Sequence, residues 1–156
     1  MLDPCFFSFS FLRGTLLIVG LFLPLLFVQA HSSASVEYTE TTTTSGGTLD
    51  VKLEPIPNPI KSGQETNYKV TFLQKGTETV QVHIDYDLVI LKNNDTEVFR
   101  ASKQTGQPLL HTAEGIVTIP FTLQEPGNYT VRIPVMGINF IPMATENVEF
   151  PIKVEQ

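Results

Sequence analysis

Cysteine and tryptophan are nearly missing from this chain. Among 156 residues the only cysteine is Cys5, and there is no tryptophan. Everything downstream of the first thirty residues therefore has no internal disulfide and no thiol nucleophile. The Cys–Trp–Cys core of an antibody-type domain is excluded as well. Positive charge is also sparse. Ten Lys and Arg stand against sixteen Asp and Glu, a formal net charge of -6, and the cations are not clustered. Binding nucleic acid through its phosphates needs such clusters, so that class is set aside. No Gly-x-Ser-x-Gly, His-Glu-x-x-His or phosphate-binding Walker loop occurs. An enzyme is accordingly the last of three functional readings.

What the chain does have begins with an apolar run from Thr15 to Gln29, preceded by Arg13 and followed by Val28-Gln29-Ala30. A cation, an apolar core and small side chains at a cleavage position are the layout of a secretory signal. Ser32-Ser33-Ala34 offers a second cleavage position. The alternative is an uncleaved membrane anchor. The run is short for a full span, Phe6 to Leu12 lengthens it, and Arg13, Gly14 and Pro24 interrupt it. Residues 1–30 are thus expected to form a hydrophobic helix, as signal peptide or membrane anchor. Either way the remainder is expected outside the cytoplasm, secreted or membrane-anchored. Residues 31–47, rich in Ser and Thr and ending in Gly46-Gly47, are expected to be a flexible linker.

From Thr48 the hydrophobic pattern has a period of two. Tyr68, Val70 and Phe72 alternate with polar residues, and Val80, Val82, Ile84, Tyr86, Leu88 and Ile90 predict one long strand. Val117 to Leu123, Tyr129 to Val135 and Val148 to Val154 repeat the pattern, and Glu97 to Ala101 predicts a short strand. Asn93-Asn94-Asp95 and Glu125-Pro126-Gly127-Asn128 read as turns, and Ser102 to Glu114 as a long loop. No helical periodicity of useful length follows residue 30. About seven short strands at near-regular spacing predict an all-β, immunoglobulin-like two-sheet sandwich over residues 48–156. Pro126-Gly127-Asn128-Tyr129 resembles a tyrosine corner, in which the hydroxyl bonds back to nearby backbone.

The candidate chemistry rests on three histidines. His83, Asp85 and Asp87 alternate along a strand and are expected to point away from the apolar set. Imidazole and carboxylate are metal ligands, and His111 completes the group if its loop folds over the sheet. The competing reading is a solvated polar face, with Arg132 paired to Asp85. His31 becomes the amino terminus if cleavage follows Ala30, and a terminal His chelates Cu(II) through amine and imidazole. The candidate metal ligands are therefore His83, Asp85, His111 and His31, with copper as the cofactor they suit. Met136 and Met143 flank Gly137 to Pro142, whose Ile138, Phe140 and Ile141 suggest a docking patch. Asn94-Asp95-Thr96 and Asn128-Tyr129-Thr130 match the N-glycosylation acceptor pattern.

Four stretches, His83 to Leu88, Leu110 to Gly115, Leu123 to Tyr129 and Gly137 to Pro142, resemble a group of uncharacterised secreted proteins of ammonia-oxidising archaea. The resemblance covers roughly residues 48 to 154. It implies export, an immunoglobulin-like sandwich and a copper-rich setting, since some members sit beside cupredoxin domains. The general shape is also similar to the small periplasmic copper-handling sandwiches, whose dense His and Met clusters this chain lacks. The first functional expectation is an extracytoplasmic, membrane-associated binding or assembly module. Its partner would be a membrane or surface protein complex, and the N-terminal segment, if uncleaved, would hold it to the membrane. The second is a copper-binding or delivery protein using His83 and His111.

Overall fold

The computed structural model describes residues 38–93 and 96–156. The apolar segment, His31 and Asn94 lie outside the described residues, and so do the expectations placed on them. No helix among the described residues is long and apolar enough to cross a membrane.

The described chain is all-β, in two sheets. One sheet has four antiparallel strands in the order β1 (Glu40–Thr43), β2 (Leu49–Ile56), β4 (Glu65–Gln74) and β9 (Ile116–Thr122). The other is built on the long hairpin of β10 (Gly127–Ile138) and β11 (Ile141–Glu155). Beside β11 lies the two-residue β3 (Ile60–Lys61), and beside β10 lie β5 (Ile84–Tyr86) and then β8 (Leu110–Thr112). Strand β6 (Val89–Lys92) pairs with a different stretch of β10, and β7 (Thr96–Arg100) pairs with β6. Edge strand β9 carries Pro120, opposite Asn67 of β4.

The alternation seen in the sequence becomes the core. Val51, Leu53, Tyr68, Val70 and Phe72 of the first sheet are fully buried, as are Ile84, Ile90, Val131, Ile133, Val135 and Phe150 of the second. Burying each such aliphatic or aromatic side chain contributes about 1.5–3 kcal/mol. Phe72 and Tyr86 meet across the layers with ring centres 5.3 Å apart. With no disulfide in this region, apolar packing and the ladders hold the two layers together. The Tyr129 hydroxyl donates to the carbonyl of Glu125 at 2.8 Å, as the Pro-Gly-Asn-Tyr sequence predicts.

Four expectations change. The Ser/Thr-rich stretch is not a flexible linker throughout, because Glu40–Thr43 forms β1, paired residue for residue with β2. Thr is β-branched and suits an edge strand with one covered face. Glu146 then fastens the β1–β2 turn. It accepts from the Thr44 hydroxyl at 2.5 Å, and from the Thr48 hydroxyl and backbone at 2.5 and 3.2 Å.

The strand expected from Val80 to Ile90 is broken twice. Val80 bridges to Leu73 of the first sheet, the chain crosses over at residues 81–83, and β5 and β6 are separated at Asp87 and Leu88. The expected loop from Ser102 to Glu114 contains strand β8, and a short helix, α1 (Ala101–Thr105), leads into it. Finally, the strands number eleven rather than about seven among the described residues, because short bridging segments count as strands of their own.

Candidate functional site

Two chain crossings build one end of the molecule. At the first, Gln81 N–H still donates to Phe72 of the four-stranded sheet, at 2.8 Å. Two residues on, His83 N–H donates to Ala113 at 3.3 Å and its carbonyl accepts from Asn139 N–H at 2.7 Å. The turn between them is made by His83 itself, whose φ is 54°. This left-handed conformation is uncommon outside glycine, although His tolerates it better than most residues. The second crossing runs from β8 back to β9 and begins two residues after His111, the middle residue of β8. His83 thus sits at one crossing and His111 beside the other.

Strands β5 and β8 place Asp85 directly opposite His111. Asp85 Oδ1 and His111 Nδ1 are 2.7 Å apart. The carboxylate can only accept, so it selects Nδ1 as the protonated nitrogen of a neutral ring and leaves the lone pair on Nε2. Gly137 makes room for this pair. A Cβ on residue 137 would lie 2.5 Å from Asp85 Oδ2.

The hairpin joining β10 to β11 closes the site. Ile138 pairs with Ile141, leaving Asn139 and Phe140 as a two-residue turn. Both have positive φ, 52° and 65°. Such a turn is usually Asn-Gly, because the second position also needs a left-handed backbone. A phenylalanine there costs about 1–2 kcal/mol relative to glycine. The ring so placed lies against both imidazoles, with centres 4.4 Å from His83 and 5.3 Å from His111. The two imidazole centres are 5.8 Å apart. Phe140 and its neighbour Ile141 still leave 68% and 69% of their surface in solvent.

Of the residues singled out in the sequence, His83, Asp85 and His111 come together. Among the described residues, however, no three His, Cys, Asp or Glu side chains gather as a group able to hold a metal ion. Asp87 is elsewhere. It lies under α1, 2% exposed, accepting from Ser102 N–H (3.0 Å), Ser102 Oγ (2.6 Å), Leu88 N–H (2.8 Å) and Arg100 Nη1 (3.1 Å). It is a structural carboxylate, not a solvated one. The expected Arg132–Asp85 pair is absent as well. Arg132 pairs with Glu149 at 2.6 Å, its neighbour across β10 and β11. Met143 packs against the core, and Met136 lines a groove of about 450 Å³. That groove also holds Arg100 and Arg132, each already paired with carboxylates.

Sequence reasoning missed Gly137 as the space for Asp85, and the contact of Phe140 with the histidines. The signal was faint but present: Asn-Phe between two short apolar runs is a hairpin turn with the wrong second residue. Residues from three separate segments meet at this one end: His83 and Asp85, His111, and Gly137 with Phe140. Neither a protein-family model nor a curated protein matches the chain.

Proposed function

We propose that the protein is an extracytoplasmic binding and assembly module. In this reading an immunoglobulin-like sandwich is delivered to the outer side of a membrane by its N-terminal apolar segment. It then contacts a membrane or surface protein complex through the end carrying Phe140 and Ile141. The immunoglobulin-like assignment draws support from the two-sheet, largely antiparallel architecture and the Tyr129–Glu125 hydroxyl bond.

One observation carries the reading. Two large apolar side chains stand side by side in solvent, and one of them occupies a backbone position that favours glycine. A strained residue that contributes little to the core points to a role other than stability. Val82, one residue before His83, is a further exposed apolar side chain, at 41%. Exposed aromatic anchors beside polar groups are the usual centres of protein–protein contacts.

The test is site-specific photocrosslinking. A crosslinker placed at Ile141 of the full chain, in membranes of the source cell, should give one dominant adduct. Phe140→Asp should abolish it while leaving the thermal unfolding curve in place. A protein that stays monomeric and uncrosslinked in those membranes would overturn the reading.

A further inference from the structure

We propose that His83 and His111 form a two-imidazole site for one copper ion, beyond any role of the same end in docking. The ligands are His83 Nδ1 and His111 Nε2. Asp85 is the positioning residue for the His111 ring, and Phe140 covers the pair.

Three independent features point there. First, the nitrogens are available. His111 Nδ1 is taken by Asp85 at 2.7 Å, which leaves Nε2 free. His83 Nδ1 is buried with no hydrogen-bond partner. An unmet buried polar atom costs about 1–3 kcal/mol, and a bound ion that accepts its lone pair removes that cost. Second, the spacing fits. Two imidazoles sharing one ion through bonds of about 2.0–2.1 Å have ring centres about 5–6.5 Å apart. Here they are 5.8 Å apart, with ring planes inclined by 29°. Third, the support around the ligands is that of a metal site. A carboxylate bonded to the far nitrogen of a ligating His fixes its tautomer and orientation. An apolar cover limits water at the ion, and Phe140 lies within 4.4 and 5.3 Å of the two ring centres.

The donor set selects the ion. Calcium and magnesium need oxygen ligands, and the one carboxylate here is engaged. No third ligand gathers among the described residues, which leaves zinc short of its usual three or four protein ligands, whereas Cu(I) accepts two imidazoles alone and Cu(II) completes its shell with water. Copper is bound most tightly by nitrogen sites among the divalent first-row ions.

The experiment is a metal titration of the full chain carrying His31→Ala, so that a chelate at the amino terminus does not contribute. Cu(I), Cu(II) and Zn(II) are added in turn. Stoichiometry is followed by competition with a chromophoric chelator, and imidazole signals by NMR. One equivalent of copper should bind, shift the His83 and His111 signals together and displace zinc. His83→Asn suits the left-handed backbone there, and with His111→Gln it should lower affinity at least about 100-fold. Asp85→Asn should lower it about 10–100-fold with stoichiometry unchanged. The proposal is overturned if no stoichiometric copper binds, if the double variant binds as wild type does, or if zinc holds the site against copper. Circular dichroism melts confirm that each variant is folded, and for an unfolded variant the wild-type NMR signals decide.

Discussion

Asp85 and Asp87 are two residues apart, yet their surroundings are opposite in kind. Asp87 is buried beneath α1 and meets four donors: two backbone N–H groups, a serine hydroxyl and an arginine. Asp85 is half-buried and meets one imidazole, in a site whose other imidazole has a nitrogen without a partner. A saturated carboxylate under a helix is part of the scaffold. Asp85 instead holds one exposed imidazole beside an aromatic at a left-handed position, at the end where the binding role is proposed.

The comparison can be broken by stability measurements. Asp87→Ala leaves the Ser102 and Leu88 N–H groups and the Ser102 hydroxyl without their acceptor, while Arg100 keeps Glu97, and should cost about 3–5 kcal/mol in chemical denaturation. Asp85→Asn should cost under about 1 kcal/mol in the same assay, because its pair is partly solvated. Equal losses at the two positions would erase the distinction. Glu146→Ala, which releases the β1–β2 turn, should lie between them at about 1–2 kcal/mol. Its mark should be faster amide exchange confined to Glu40–Thr43 and the facing residues of β2. Phe140→Gly sharpens the contrast further. Relief of the left-handed strain offsets the lost ring contacts, so stability should stay within about 1 kcal/mol of wild type. A buried phenylalanine such as Phe150 should lose about 3–5 kcal/mol on truncation to alanine.

The smallest effect is expected from acid. Hydrogen bonds from Arg100, then Lys103, pull the Glu97 carboxyl down to about 2. At Glu146 burial acts to raise the value, and the hydrogen bonds from Thr44 and Thr48 outweigh it, so the net shift is downward. A carboxyl with a lowered folded-state pKa stabilises the fold above its unfolded value. That contribution disappears as pH falls through the folded value. For Glu97 the window runs from about pH 4.5 down to about 2. Glu97→Gln should therefore flatten the acid limb of a stability-against-pH curve, and an unchanged limb would remove Glu97 from the account.

The parts of this fold that were legible in the sequence are those set by local pattern. The two-residue alternation marks β4, β9, β10 and the later part of β11, and the residues before Tyr129 mark its hydroxyl bond. Illegible parts fall into two kinds. Some are short: five residues of helix at Ala101–Thr105 show no periodicity, and a run of threonines looks the same in a linker as in an edge strand. Others are masked by parity. The residues from Val80 to Ile90 keep alternating through a sheet crossing at His83 and a break at Asp87, so nothing in the pattern marks either. The site belongs to a third kind. Asp85 meets His111 only because β5 pairs with β8 across 26 residues, and Phe140 reaches them from a hairpin further on. Residue types gave the candidate ligands, and pairing between distant strands supplied the neighbours.

Pro120 has a consequence for how such a domain tolerates crowding. It sits in β9, the outermost strand of the four-stranded sheet, and supplies no N–H to an incoming strand. On the other sheet, the flanks β3 and β8 are two and three residues long. At β9, then, a strand approaching from a second copy meets a gap in the ladder, and this local guard needs no covalent cross-link.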